Sequence, residues 1–236
     1  MSTIEMIIKI VKYVLILAPS LFSTHTWLYM KSPKYYFFVV RMFSKWRDTN
    51  WSIYVNYELD ELNDTYSKIE TVLKTRYEGK KYKREVNMIN KKLYKCDGFN
   101  MLIKDDFGDG DYSSKSLYIS ITELNVTLNT AEEKLRSFRE LFNEIHRTIN
   151  PRNSSYNLDV YFKNGRNPFY GLMVQRLGKD KVNHFECHFP ISSIVPKAAD
   201  KINDSHLLRI FKEKLTINDS SFDILEETAK RALLFK

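Results

Sequence analysis

The stretch SLYISITELNVTLNTAEEKLRSFRELFNEIHRTIN, residues 116–150, predicts a β-strand that leads into an amphipathic helix. Apolar residues in its first part alternate with polar ones, as in a half-buried strand, and are Leu117, Ile119 and Ile121. Apolar residues in its second part recur at helical spacing and are Leu135, Phe138, Leu141, Phe142, Ile145 and Ile149. Thr130 with Glu133 matches a capping box, and Asn150 followed by Pro151 ends the helix.

A similar pair of elements lies 64 residues earlier in the chain. The letters SIYV of Ser52–Val55 correspond to SLYI of Ser116–Ile119 and begin another alternating strand. A predicted helix follows it, over residues 64–77. We therefore expect a tandem β-α-β-β(-β) pseudo-repeat. The alternative is that two ordinary strand-helix units share a short run of similar residues.

The rest of the chain predicts further antiparallel strands. Residues 156–162 alternate, Asn164-Gly165 forms a turn, and residues 169–177 return as a second strand. A third strand runs over residues 182–191, and two helices over 204–215 and 220–235 complete the chain. Strands that return by short turns beside helices predict an α+β fold, with a largely antiparallel sheet and helices on one face.

The N-terminal segment differs from the remainder of the chain. Residues 4–30 are mainly apolar, and the longest window without charge, Tyr13 to Met30, has 18 residues. A membrane span needs about 20 apolar residues, so this segment is a marginal span. The alternatives are a helix buried against its own domain or a partner, and an interfacial or targeting segment. We divide the chain into an N-terminal helical segment, 1–47, and an α+β domain, 48–236.

Two groups of residues are candidates for binding a partner protein or a second copy of the chain. The first group lies on the N-terminal helix and consists of Ile7, Ile8, Val11 and Leu15. The second lies at the tip of the hairpin predicted around Asn164-Gly165 and consists of Arg166, Phe169 and Tyr170. A structural turn alone would also explain the glycine and proline of that hairpin.

Charge is concentrated in one internal block. Residues 74–95 hold nine Lys or Arg against two acids, whereas the whole chain has a net charge of +8. Tyrosines are interleaved with this basic block, so it is a candidate nucleic-acid site. Its candidate contact residues are Lys80, Lys81, Lys83, Arg84, Lys91 and Lys92. The alternative is a solvated, lysine-rich connection.

Signatures of catalysis and of metal or cofactor binding are absent from the sequence. His184 and His188 share a face of the predicted strand but lie too far apart for one zinc ion, while Cys187 points to the other side. Cys96 has no histidine near it in sequence, and the acidic loop from Asp105 to Asp111 lacks the glutamate of a calcium-binding EF-hand. We therefore predict no catalytic residue, metal or cofactor, and the sequence favours a protein that is not an enzyme.

These observations favour a non-catalytic accessory or structural subunit of an intracellular assembly, docking through the N-terminal apolar helix. The alternative is a nucleic-acid-binding module that uses the basic block. Two cysteines give no disulfide framework, so we expect the cytoplasm, with membrane association through residues 4–30 as an option. The bias toward Lys, Asn and Ile is typical of AT-rich genomes and favours a bacterial or phage source.

Overall fold

The computed structural model describes residues 3–42, 49–62, 64–77, 82–96, 98–107, 115–163, 167–178, 182, 184–195 and 206–234. Its helices are α1 (Thr3–Lys31), α2 (Pro33–Met42), α3 (Thr65–Arg76), α4 (Leu128–Ile149), α5 (Pro168–Leu177) and α6 (Phe222–Leu234). Its strands are β1 (Thr49–Leu59), β2 (Lys83–Asn87), β3 (Lys91–Cys96), β4 (Phe99–Phe107), β5 (Lys115–Val126), β6 (Asn153–Phe162), β7 (Glu186–Pro190), β8 (Leu207–Phe211) and β9 (Lys214–Asp219).

The strands form one nine-stranded sheet in the order β2-β3-β4-β5-β1-β6-β9-β8-β7. Every pairing between neighbours is antiparallel. The central strand β1 alternates strictly between buried and more exposed residues. Ile53 and Val55 are fully buried, and the residues that follow each of them, Tyr54 and Asn56, are half-buried. One face of the sheet is therefore the core side, and the predicted α+β class with a largely antiparallel sheet is confirmed.

The helices α3, α4 and α6 bury their apolar residues against the core side of the sheet. Phe142 of α4 lies at the centre of this layer, with its ring centroid 6.1 Å from that of Tyr156 on β6 and 5.2 Å from that of Phe222 on α6. Phe138, one turn earlier, lies 5.3 Å from Phe99 on β4. The stripe predicted for α4 is thus the surface that joins the two halves of the sheet.

The start of α4 differs from the prediction by three residues. Thr127, not Thr130, is the N-cap residue, and its side chain accepts a hydrogen bond from the backbone N–H of Thr130. The Thr130 hydroxyl in turn accepts from the Thr127 N–H at 3.1 Å, so threonine fills the place we assigned to Glu133. Asn150 ends the helix as predicted, in the left-handed conformation with φ of 47°.

Two segments adopt a different structure from the one their patterns predicted. Residues 168–177 form α5 rather than a strand, because the Asn167 side chain caps the Phe169 N–H and Pro168 occupies the first turn. The helix predicted over 204–215 is instead the hairpin of β8 and β9. Leu207, Leu208, Ile210 and Phe211 fit a helical spacing as well as an alternating one, so periodicity alone could not decide between them.

The predicted repeat of 64 residues is not confirmed. Its two strands are β1 and β5, which pair directly as antiparallel neighbours, with Val55 opposite Ile119. Two series of described elements are similar but not identical: β1-α3 is followed by four strands and α4, whereas β6-α5 is followed by three strands and α6. The first strands of these two series, β1 and β6, pair with each other in the middle of the sheet.

The two N-terminal helices form a hairpin that contacts α5. The Phe37 ring lies 5.4 Å from the Phe169 ring, centroid to centroid. The Gln175 side-chain amide donates a hydrogen bond to the Tyr29 carbonyl at 3.0 Å, and the Arg176 guanidinium donates one to the Lys31 carbonyl at 2.9 Å. The C-terminal part of α1 is therefore held to the remainder of the protein through α5.

Candidate binding surfaces

The side of the sheet opposite the core presents polar residues, and we call it the polar face. On β1 the residues of this face are Asn50, Ser52, Tyr54, Asn56 and Glu58, all of them half-buried or exposed. Their neighbours on the flanking strands include Ser120 and Tyr118 of β5 and Asn157 and Asp159 of β6. Hydroxyl, amide and aromatic groups thus dominate the middle of this surface.

A buried carboxylate anchors one half of the polar face. Asp159 accepts hydrogen bonds from Thr216 Oγ1 at 2.6 Å, from Lys214 Nζ at 3.2 Å and from the Tyr161 hydroxyl at 3.3 Å. Lys214 compensates the negative charge of Asp159. The same ammonium lies 5.7 Å from the centroid of the Tyr161 ring, so a cation and an aromatic ring meet at this point.

A second group of aromatic and basic side chains lies on β4, β5 and β1. The rings of Tyr54 and Tyr118 stack with centroids 6.1 Å apart and an interplanar angle of 22°. Lys104 Nζ lies 5.0 Å from the centroid of the Tyr118 ring. Burial raises the pKa of the Tyr118 hydroxyl above its ordinary value. Tyr118 therefore stays neutral, and its ring faces the Lys104 side-chain nitrogen.

Four lysines extend the polar face toward the β2 edge, and we call them the lysine cluster: Lys83, Lys91, Lys95 and Lys104. They form two cross-strand pairs, in which Lys83 lies opposite Lys95 and Lys91 lies opposite Lys104. In the described part of the chain, none of the four forms an ion pair with a carboxylate. Like charges that lie directly opposite each other destabilise a sheet. This arrangement therefore has an uncompensated electrostatic cost.

The predicted basic block is divided between the two faces of the sheet. Arg84 and Lys92 face the core side and bind Glu70 of α3, with nitrogen to oxygen distances of 3.0 Å and 3.6 Å. Lys92 Nζ also lies 5.0 Å from the centroid of the Tyr66 ring. Lys83 and Lys91 belong to the lysine cluster, whereas Lys80 and Lys81 lie outside the described residues. The block is therefore two separate groups of charges.

The sequence analysis included Lys95 in the basic block without naming it as a contact residue, and it missed Lys104. Lys91 and Lys104 come together only because β3 and β4 pair in one particular register. The alternation of Lys91, Leu93 and Lys95 with buried residues was the available signal, since it places these side chains on one face of a strand.

The N-terminal helix exposes large apolar side chains. Those with the greatest exposure on α1 and α2 are Leu21, Phe22, Trp27, Met30, Phe38 and Met42. Phe22 is 71% exposed and Trp27 is 60% exposed. The predicted contact residues Ile7, Ile8, Val11 and Leu15 lie on α1, but their side chains fall outside the described part of the chain. Within the described ranges, no helix combines the length and the apolar character needed to cross a membrane.

The hairpin tip predicted to bind a partner is not a hairpin. Phe169 lies in the first turn of α5 and packs against the core and against Phe37 of α2. Tyr170 contacts the Phe185 ring, with centroids 5.5 Å apart, and Lys212 Nζ lies 5.6 Å from the Tyr170 centroid. Arg166 lies outside the described residues. Their proposed role in binding stays a prediction, since none of these contacts tests it.

Groups with potential chemistry are scattered rather than assembled. Burial raises the pKa of the Cys96 thiol to about 12, which disfavours the thiolate that a nucleophile needs. Glu186 accepts hydrogen bonds from the rings of His188 at 2.6 Å and His184 at 3.3 Å, and chiefly the first of these lowers the pKa of its carboxyl. Among the described residues, no three His, Cys, Asp or Glu side chains converge as they would around a metal ion.

A buried pair that the sequence did not indicate joins β9 to the residue before β8. His206 Nδ1 lies 2.7 Å from Asp219 Oδ2, and both side chains are almost completely buried. Asp219 also accepts a hydrogen bond from the Ser221 N–H at 2.8 Å, just before α6 begins. These contacts fix the turn from the last strand into the last helix, which is a structural role.

The chain was also compared with known proteins. No protein-family model matches it, and no curated protein shows significant similarity to it.

Proposed function

We propose that the protein is a non-catalytic accessory or structural subunit of a multi-protein intracellular assembly, and that it docks through the N-terminal helix α1. The observation that carries this proposal is the exposure of Leu21, Phe22, Trp27 and Met30 on the second half of α1. Successive residues of a helix are about 100° apart, so these four side chains point in different directions around the helix. Large apolar side chains that are exposed together indicate a surface that another molecule covers.

The polar residues of the same segment favour a protein as the occupant of this surface. Ser23, Thr24 and Thr26 are exposed between the apolar residues, and their hydroxyls need hydrogen-bond partners when covered. A partner subunit offers such groups, whereas hydrocarbon does not. Aromatic residues and methionine, here Phe22, Trp27 and Met30, are also enriched at protein interfaces. The contacts of Tyr29 and Lys31 with α5 would hold the docked helix to the sheet domain.

Site-specific photo-crosslinking in the cells that naturally produce the protein tests this function. A photoreactive residue at position 22 should give an adduct with one protein of constant mass, whereas the same residue at the exposed position 67 on α3 should give none. Light scattering on the purified chain then shows whether that partner is a second copy. With the photoreactive residue kept at position 22, Leu21→Glu with Trp27→Glu should abolish the adduct and release the chain as a monomer. An adduct with lipid alone would exclude docking on a protein.

Removal of residues 1–24 provides a second test. The contacts of Tyr29, Tyr36 and Phe37 with α5 remain in this variant, so the sheet domain should keep its circular dichroism spectrum and lose only its association. If the shortened chain is unfolded, the segment belongs to the core and the docking function is wrong.

A further inference from the structure

In the described part of the chain, no carboxylate forms an ion pair with the lysine cluster of the polar face. The cross-strand lysine pairs Lys83–Lys95 and Lys91–Lys104 place like charges side by side on three neighbouring strands. Arg84 and Lys92, which alternate with them in sequence, turn to the core side and share the carboxylate of Glu70. The fold therefore gives Arg84 and Lys92 a shared carboxylate partner on one face and leaves the lysine cluster of the other face without described carboxylate partners.

Aromatic rings continue this surface from the lysine cluster into the middle of the sheet. Lys104 lies over the Tyr118 ring, and Tyr118 stacks with Tyr54. Tyr161, on the neighbouring strand β6, has 39% of its surface exposed. Adjacent strands are about 4.8 Å apart, so the five strands from β2 to β1 carry the cluster and the first tyrosines across a width of about 20 Å. A negatively charged chain with flat apolar groups matches this combination.

The hydrogen-bonding groups of the polar face add a second kind of contact. Asn157 and Asn218 lie opposite each other on β6 and β9, and the Oδ1 atom of each is buried without a hydrogen-bond partner. The Arg209 Nε atom on β8 is also buried without a hydrogen-bond partner. These three atoms are enclosed by their neighbours and do not contact a ligand directly, whereas the exposed Asn50 amide at the rim of the same face offers a donor and an acceptor, as a nucleobase requires.

We propose that the polar face binds single-stranded nucleic acid. The lysine cluster contacts the phosphates, and Tyr54 and Tyr161 stack on unpaired bases. Phosphates attract lysines irrespective of sequence, and base stacking on aromatic side chains requires that the bases be free of a duplex. Binding at this surface does not depend on the docking of α1, because the two surfaces share no residue.

Fluorescence anisotropy with a labelled oligouridine, measured over a series of salt concentrations, tests the lysine cluster. Lys91→Gln with Lys104→Gln should lower the slope of log affinity against log salt by about 1.4, since each phosphate contact to a single strand contributes about 0.7. The matched control is Lys68→Gln with Lys74→Gln on α3, which removes the same charge from the helix side of the protein. This control should leave the slope unchanged.

The tyrosines are tested with the same probe and with a duplex of equal length. Tyr54→Ala and Tyr161→Ala should each weaken single-strand binding roughly 5- to 100-fold per stacked base and leave the salt slope intact. Tyr54→Phe and Tyr161→Phe should keep the affinity, because the ring is retained. Circular dichroism of each variant controls for folding.

Three results would overturn the inference. The first is that the wild-type chain does not bind oligouridine or oligothymidine even at low salt. The second is that the α3 control pair weakens binding as much as the lysine-cluster pair, which would indicate attraction to net charge alone. The third is that the duplex binds as tightly as the single strand and the tyrosine-to-alanine variants bind normally.

Discussion

The Tyr36 hydroxyl occupies the space that a side chain at position 171 would need. A Cβ atom built on Gly171 would lie 2.5 Å from Tyr36 Oη and 3.8 Å from Tyr36 Cζ. Gly171 lies in the middle of α5, where glycine is less favourable than alanine by about 1 kcal/mol. The glycine thus permits the close approach of α2 to α5 at a cost to the helix.

Gly171→Ala should therefore loosen the N-terminal hairpin although alanine is the better helix former. We expect faster proteolysis of residues 3–42 and an unchanged midpoint for unfolding of the sheet domain. Tyr36→Phe in the same chain should restore protection, because the nearest remaining ring atom would lie at an ordinary contact distance of 3.8 Å. Limited proteolysis followed by mass spectrometry measures both effects. Equal protection in Gly171→Ala and the wild type would show that the approach is not as close as described.

Truncation of Phe138 should be among the most damaging changes in the core. Its side chain is 2% exposed and packs against Phe99 and Phe142. Phe138→Ala should lower the free energy of unfolding by about 3 to 5 kcal/mol, measured by denaturant titration.

The control for Phe138→Ala is an exposed residue of α4 that, among the described residues, forms no ion pair with a buried carboxylate. Arg139 is a poor choice, because its guanidinium lies 3.2 Å from the buried carboxylate of Glu226. Arg136 is exposed on the same helix, and Arg136→Ala should change stability by less than about 0.5 kcal/mol. Similar losses in the Phe138 and Arg136 variants would contradict the assigned faces of α4.

Asp159 should matter for stability as well as for the shape of the polar face. Asp159→Ala removes the acceptor of three side-chain hydrogen bonds, from Thr216, Lys214 and Tyr161. Lys214 is one-third exposed and can turn to water, so we expect a loss of about 1 to 3 kcal/mol. Thermal or chemical unfolding measures this loss. Asn50→Ala, on the exposed rim of the same face, is the control and should be near neutral.

The two cysteines should differ in reactivity. A pKa of about 12 leaves about one Cys96 thiol in 10,000 ionised at pH 8, and the side chain is buried as well. Iodoacetamide at pH 8 should therefore leave Cys96 unmodified in the folded protein and modify it after denaturation, as read by mass spectrometry. The half-buried Cys187 serves as the internal comparison. Rapid modification of Cys96 in the folded chain would contradict its position in the core.

Sequence pattern predicted the elements whose period was unambiguous. The long apolar stripe of α4 is compatible only with a helix, and the strict alternation of β1 only with a strand. Both elements are present in the structure. Leu207–Phe211 contains an apolar run that fits two periods, and only its pairing with β9 decides between them. Residues 169–177 were predicted as a strand that returns after the Asn164-Gly165 turn, yet the cap at Asn167 and the glycine that meets Tyr36 belong to a helix.

The binding surfaces depended on information that no local pattern contains. Lys91 was assigned to the basic block and Lys104 was not, and only the register of β3 on β4 makes them neighbours. Arg84 and Lys92 looked equivalent to Lys83 and Lys91, but the pleat directs them to Glu70 on the other side. Charge density along a chain thus predicted that a basic surface exists, whereas its location required the pairing of strands.

The two outermost strands of the sheet, β2 and β7, have five residues each. A long, flat outer strand is a template on which other chains can add strands and aggregate. Lys83 and Arg84 place charge on one outer strand, and Pro190 removes a backbone donor from the other. Lys83, at the rim of the polar face, therefore also protects the protein against intermolecular strand addition. Replacing it with an apolar residue would leave an outer strand to which other chains could add strands.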